Sequence, residues 1–404
     1  MRKSLSDMLK IGIVNSIQSF VPVLVWVIMG VVFNDSRYAT GYIIVYPYQF
    51  VSSLLYHLLF KSQLKREVKY KAEDHDNANT GLLILYTCYS IVFIVSVLFA
   101  KQILLLMNLD PINTDIFNFG LIQMILDWIF YGIVTTKQYD DNNEEALKMT
   151  LTWYISKLVL IVLCSRIADH NRALALVSVL MCVLLVIYLL KQCSVKHYIF
   201  SFKDGIKYSL YDIPSDVAMI FIYVFGISIM AEKSIVVLAA YNIMSMCTDT
   251  QWDIIHSAVD TVGTLKVKSG EFIQNTKKLF MASIAYAEIM FVSSLFLIGL
   301  CYCIPTYHES INFNMVLIMF IIECAGFPMY TVKYMMNSWT ALEHPNVSAI
   351  IVTAITYISR FLVTCFVTSI YSVSFGTLTS CILGNTAHIL IYLYFRRKDE
   401  KVKC

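Results

Sequence analysis

Six polar side chains recur at helical spacing past the middle of the chain: Asn242, Ser245, Asp249, Asp253, His256 and Asp260, at steps of 3, 4, 4, 3 and 4. These steps place all six on one helix face. The stretch that carries them opens Ile235-Val-Val-Leu-Ala-Ala240 and is mostly apolar elsewhere. Carboxylates on such a face bind a proton readily, because burial disfavours their charged form. They can also hold a cation or pair with a buried base, and His256 adds a group able to relay protons. Further acids stand in or at the ends of apolar runs at Asp127, Asp212, Asp216, Glu288 and Glu323, and two bases at Lys157 and Arg360. Asp212 and Asp216 lie one turn apart on a shared face. Asn15, Gln18 and Pro22 share another, and Tyr42, Gln49, Ser53 and Tyr56 a third.

The elements that position these groups are membrane spans. The chain has 404 residues, of which 58% are hydrophobic and only 15% charged, and its mean hydropathy is +0.66. A soluble surface takes about 25% charged residues. The net charge of +3 is too small to imply a nucleic-acid partner. Most of the eleven cysteines sit inside apolar runs, so no disulfide framework is expected. The first apolar run, Leu9 to Phe33, is too long for the core of a cleavable leader.

At about 20 apolar residues per span, twelve are expected: roughly 9–33, 37–60, 80–100, 115–136, 147–166, 171–192, 207–230, 235–260, 278–303, 312–336, 347–369 and 374–395. With the N-terminus in the cytoplasm, 24 Lys and Arg fall in inner segments and 5 in outer loops; Lys157 and Arg360 lie within spans. That bias puts both termini in the cytoplasm. The basic run Lys61, Lys65, Arg66, Lys69, Lys71 is then a topology signal.

An internal duplication is legible. At an offset of 196, Phe117-Asn118 matches Phe313-Asn314, Asp127 matches Glu323, and Lys137 matches Lys333. At an offset of 203, Tyr154-Ile-Ser-Lys157 matches Tyr357-Ile-Ser-Arg360. Matched charges inside spans are rarer than matched leucines, so the fold class expected is an all-α polytopic membrane protein of two six-helix repeats, residues 1–200 and 201–404. Parallel repeats of this kind place a substrate between the halves.

Two readings of the intramembrane charges compete. Lys157 can neutralise Asp127 and Arg360 can neutralise Glu323 as structural ion pairs. Eight acids facing two deep bases leave several that must be protonated, hydrated or cation-bound. Asp249, Asp253, Asp212 and Asp216 are therefore candidates for cation or substrate binding, with Glu323, Asp127, Asn242, His256, Gln49, Gln18 and Asn15 beside them. A metal held by Asp253, His256 and Asp260 is the minor alternative, and no cofactor is expected. Trp252 and Trp128, neighbours of Asp253 and Asp127, could stack on a flat organic cation.

The Gly/Asp/Arg signature of the major facilitator superfamily is missing from the loop after the second span. Three stretches instead resemble the multidrug and toxic compound extrusion (MATE) family, within the group that includes polysaccharide flippases. They are Ile206-Lys-Tyr-Ser-Leu-Tyr-Asp-Ile-Pro214, Leu238-Ala-Ala-Tyr-Asn-Ile243, and Ala258-Val-Asp-Thr-Val-Gly263 followed by Gly270. The resemblance implies two six-helix lobes, alternating access, and export driven by H⁺ or Na⁺. It also implies that Glu323 matches the family's tenth-helix acid. The first span carries Asn15 and Gln18 where members commonly carry Asp, which moves the expected coupling site toward Asp249 and Asp253.

The reading expected is thus a cation-coupled secondary exporter of an organic cation or amphiphile, not an enzyme. It would be monomeric in the cytoplasmic membrane, with lipids and H⁺ or Na⁺ as its other partners. Two alternatives stand beside it: a lipid-linked saccharide flippase of the same fold, and a non-transporting intramembrane metal enzyme or accessory protein.

Overall fold

Long runs of Leu, Ile, Val, Phe and Ala with few Gly or Pro favour helix, and in lipid a helix satisfies every backbone group internally. The computed structural model describes residues 2–35, 37–56, 58–59, 76–139, 142–192, 212–249, 276–329 and 353–402. Those residues form helices and no strand. In chain order the α-helices are α1 (Arg2–Phe33), α2 (Tyr38–Tyr56), α3 (Asp76–Leu98), α4 (Ala100–Leu106), α5 (Thr114–Tyr139), α6 (Asn143–Ile167), α7 (His170–Gln192) and α8 (Asp212–Lys233). They continue as α9 (Ile235–Asp249), then α10 (Thr276–Tyr302), α11 (Pro305–Ser310), α12 (Phe313–Cys324), α13 (Thr353–Phe366) and α14 (Ser372–Val402).

Each of the twelve expected spans overlaps a helix among the described residues. Among the described residues, five helices are long and apolar enough to cross a membrane, or six if the α3–α4 pair is one bent span. Five more are apolar but shorter. At the end of the third expected span the chain turns sharply: α3 and α4 meet at 75°. Phe99 between them leaves helical geometry, at φ −106° and ψ 16°.

The chain forms two compact units, Phe20–Ala231 and Met1–Ser19 with Glu232–Cys404. In the first, α5 is central: it packs on α2, α3, α6 and α7. Its most apolar window is 67% buried, against 39% for those of α6 and α7. Trp26 of α1 is seated between two glycines. A Cβ on Gly41 would come 2.3 Å from Trp26 Cζ3, and one on Gly120 2.8 Å from Cη2. Only glycine lets α2 and α5 approach the indole this closely. Side-chain caps define helix starts: the Asn142 carboxamide accepts from Glu145 N at 3.3 Å, opening α6.

In the second unit, α13 and α14 form the most intimate pair, and α12 packs against α14 and α10. Two glycines of α14 permit the approach. A Cβ on Gly376 would lie 2.4 Å from Thr364 Oγ1 and 2.9 Å from the Arg360 carbonyl oxygen; one on Gly384 would lie 2.1 Å from Thr356 Oγ1. Asn312 caps α12 by accepting from Met315 N at 3.3 Å.

Apolar side chains cover much of the outer surface. Ile155, Val159 and Leu163 of α6 and Ile289, Val292 and Phe296 of α10 are exposed. In water such faces would drive aggregation; against lipid they need no cover.

Candidate functional site

The eighth expected span places its first three polar residues as the spacing requires. Asn242, Ser245 and Asp249 of α9 are buried, at 0%, 1% and 7% exposure. The Ser245 hydroxyl donates to Asp249 Oδ2 one turn on. Asn242 Nδ2 donates to Met246 Sδ at 3.4 Å. Asp253, His256, Asp260 and Trp252 lie outside the described residues.

In the same unit, Glu323 closes the last turn of α12 and is buried, at 3%. The hydroxyls of Ser374 and Thr377 on α14 face its carboxyl, and the charges of Arg360 on α13 and Asp249 on α9 act on it. Glu323 Oε1 is buried, with no hydrogen-bond partner among the described residues. Arg360 is itself buried, at 6%. Two buried acids and a buried guanidinium, carried on α9, α12 and α13, are thus near enough to act on one another electrostatically. Among the described residues, these three groups with both acids ionised sum to one negative charge. A buried charge is costly unless paired, and a monovalent cation, either a proton or Na⁺, restores neutrality. Ser374 and Thr377 are residues the sequence reading missed. Their signal was an i, i+3 pair of small hydroxyls at the start of the last apolar run.

The unit Phe20–Ala231 holds the sequence-matched acid in a different setting. Asp127 of α5 is ion-paired with Lys157 of α6, which is almost fully buried. Trp153 Nε1 donates to Oδ1 of the same carboxylate at 2.8 Å. The Trp153 ring stacks on Phe130 at 4.6 Å. Lys157 Nζ lies 5.7 Å from the Trp153 centroid and 5.6 Å from that of Tyr154. Among the described residues, one acid here meets one base and a neutral donor, and their charges balance.

In this unit also, Asp216 of α8 is buried at 7%, and its charge acts on the buried Tyr89. Two turns along α8, Tyr223 meets Tyr46 at 4.6 Å and Phe50 at 5.3 Å on α2. Gln49 is half-buried on α2. Tyr56 donates to Thr135 Oγ1 at 3.3 Å and packs on Trp128 at 5.6 Å. Trp128 thus belongs to an aromatic cluster with Tyr56 and Tyr131. Gln18 is half-buried on α1. Asn15 lies on α1 and Asp212 opens α8; their side chains lie outside the described set. Among the described residues, no group of three or more His, Cys, Asp or Glu side chains is arranged to hold a metal.

No protein-family model matches the chain, and no curated protein does. Solved structures match over nearly its whole length. One is described as the outward-facing conformation of a multidrug resistance MATE family transporter of the MOP superfamily. It has 13% identity and a TM-score of 0.68, with 98% of this chain and 96% of that one covered. An inward-facing structure described in the same terms has 11% identity and a TM-score of 0.63, with 98% of each chain covered. The lipid II flippase MurJ, in an inward closed conformation, has 15% identity and a TM-score of 0.58, covering 96% of this chain and 87% of its own. At such identities the likeness carries the fold. The chain has the fold of the MATE transporters and of MurJ. Its apolar helices are those of a multi-pass membrane protein.

Proposed function

We propose that the protein is a cation-coupled secondary exporter working by alternating access, with an organic cation or amphiphile as cargo and H⁺ or Na⁺ as coupling ion. It crosses the cytoplasmic membrane twelve times as a monomer. Both termini are cytoplasmic, and its six-helix halves are residues 1–200 and 201–404. The observation that carries the reading is the buried group Asp249, Glu323 and Arg360. Among the described residues it sets two buried acids against one base, and a buried acid surplus favours uptake of a proton or another cation. A cationic cargo that competes for the same carboxylates couples its release to cation entry.

A lipid-linked saccharide flippase is the second reading, supported by the likeness to MurJ. An anionic pyrophosphate wants cavity cations. Lys157 is already held by Asp127, and Arg360 faces an acid surplus, so the exporter is preferred.

The test is efflux of a fluorescent organic cation from proteoliposomes under imposed H⁺ and Na⁺ gradients, separately. Gradient-driven flux in the native chain, lost in Asp249→Asn and in Glu323→Gln, is the expected result. Full flux in both variants would remove these acids from the mechanism. Flux of a lipid-linked sugar instead, without an ion gradient, would establish the flippase.

A further inference from the structure

Glu288, in the ninth expected span, takes no part in the groups described above. It lies near the middle of α10, 12 residues from the start at Thr276 and 14 from the end at Tyr302. At 1.5 Å per residue these are about 18 and 21 Å, whereas the hydrocarbon core extends only about 15 Å to either side of its midplane. The Glu288 side chain is exposed, and among the described residues it has no hydrogen bond or ion pair. The opposite face of α10 is packed: Met290, Ser294 and Leu297 are buried, and Phe291 meets Phe320 of α12 at 5.3 Å. The face that carries Glu288 also carries Ile289, Val292 and Phe296, all exposed. Large apolar side chains around the acid mark a lipid-facing surface, not the wall of a wet channel.

The internal repeat indicates that the helix itself does not require an acid there. At an offset of 198, Ile91, Phe93 and Ser96 match Ile289, Phe291 and Ser294, which sets Ser90 of α3 against Glu288. The Ser90 hydroxyl bonds its own helix, donating to the Tyr86 carbonyl at 2.9 Å. A carboxylate in hydrocarbon is costly, and intramembrane acids almost always turn inward. Glutamate is too short to reach either interface from midspan, so its charge calls for a cation brought to it. The receiving surface is an open groove of about 570 Å³ lined by Ala285, Glu288, Ile289, Val292, Ser293 and Phe296, a size that takes one small molecule. Charge and depth select the occupant. Phospholipid head groups stay at the membrane surface. A second copy would set another carboxylate against the first. An inorganic ion needs several oxygens, and the Ser293 hydroxyl already donates to the Ile289 carbonyl at 2.7 Å. A lipophilic organic cation enters hydrocarbon, and its charge finds here a carboxylate and the ring of Phe296.

We propose that Glu288 and the groove around it form a docking site for a lipophilic organic cation on the lipid-facing surface of α10. The cation's charge meets the carboxylate, and its apolar groups lie along Ile289, Val292 and Phe296. The proposal rests on the exporter reading for its cargo, and adds the place where that cargo is taken from the hydrocarbon phase.

Photolabelling of the full chain in lipid nanodiscs tests the site without transport. The probe is an azidophenyl-alkyl trimethylammonium, with its uncharged tert-butyl analogue as control. Adducts of the cation should concentrate between Ala285 and Phe296, several-fold above those on Ile155, Val159 and Leu163 of α6, which are likewise exposed. Tetraphenylphosphonium should compete them away, and the uncharged analogue should label both faces alike. Glu288→Gln should lower the α10 adducts several-fold, and Glu288→Asp should keep most of them. In proteoliposomes, Glu288→Gln should slow efflux of the cation chiefly by raising its half-saturating concentration. Cation adducts no denser on α10 than on α6, or unchanged in Glu288→Gln, would overturn the proposal. A disulfide dimer formed through Val292→Cys would give the face to a second copy and overturn it as well. Charge-dependent labelling with a native half-saturating concentration in Glu288→Gln would remove the groove from the transport route. If the native chain moves no cation at all, the exporter reading fails, and the labelling still decides whether the groove binds one.

Discussion

The indole nitrogen of Trp153 lies 2.8 Å from Asp127 Oδ1, the same oxygen that takes the Lys157 ammonium. Two donors on one helix, four residues apart and so on one face, thus converge on one acid of the neighbouring helix. The ammonium gains further from the faces of Trp153 and Tyr154. Removing one partner of such a buried pair strands a charge and costs about 3–5 kcal/mol. Lys157→Met should therefore lower thermal stability in nanodiscs by that order. Asp127→Asn in the same background should recover most of the loss, because neither charge then remains. A double variant no more stable than Lys157→Met alone would refute the pairing argument.

Gly384 gives a packing prediction. Its would-be Cβ meets the hydroxyl oxygen of Thr356 at 2.1 Å, a contact no side chain tolerates. Overpacking of this kind costs about 1–3 kcal/mol, so Gly384→Ala should lower the melting temperature. Adding Thr356→Ala should return part of it, since only the offending oxygen and a methyl are removed. Gly376 is different: its Cβ would meet the Arg360 carbonyl oxygen at 2.9 Å, which truncating a side chain cannot move. Gly376→Ala with Thr364→Ala should stay impaired. A double-mutant cycle on melting temperatures separates the two cases.

Much of this architecture was legible. Charges stand out against apolar runs, so Asp127, Lys157, Glu323 and Arg360 pointed to the sites that α5, α6, α12 and α13 build. The stripe Asn242, Ser245, Asp249 emerged on one buried face because helical spacing is rigid. The bend at Phe99 was not legible, since Leu98-Phe-Ala100 contains no Gly or Pro to mark it. The hydroxyls around Glu323 were hidden for another reason. Ser and Thr are abundant along α14, and Thr386, on a different face, is exposed and donates to the Ile382 carbonyl of its own helix. Composition alone cannot tell a buried hydroxyl from that one. Trp153 was passed over for Trp128 because sequence neighbours of an acid attract attention, whereas its partners sit on another helix.

An acid-side effect on stability should come from the short turn between α1 and α2. Burial pushes the Asp35 carboxyl up. The Arg37 side-chain and backbone hydrogen bonds and the Arg37 charge outweigh burial, and hold it below its ordinary value of 3.8. The guanidinium donates at 2.9 Å and 2.7 Å. A lowered folded-state value means the stabilisation is present above the ordinary aspartate range and is lost as pH falls through the lowered one. Melting temperature of the native chain should therefore fall as pH drops below about 4, and Asp35→Asn should flatten that part of the curve. An unchanged acid limb in Asp35→Asn would show that other carboxylates control it.

The two sequence-matched ion sites should separate in function as they do in geometry. Asp127 meets Lys157 and Trp153 with no net charge, whereas Glu323 meets Arg360 in the presence of Asp249. Neutralising both members of the first pair, Asp127→Asn with Lys157→Met, removes a balanced structural contact and should leave gradient-driven efflux close to native. Neutralising the second, Glu323→Gln with Arg360→Met, also balances charge and should preserve the fold. It removes the base and one of the two acids on which the coupling reading rests, so flux should fall to the leak of empty liposomes. Both double variants keep the sum of buried charges unchanged, which makes general destabilisation a poor explanation for any difference between them. Equal loss of flux in the two would show that the first pair also takes part in coupling, and the asymmetry argued from their surroundings would fail.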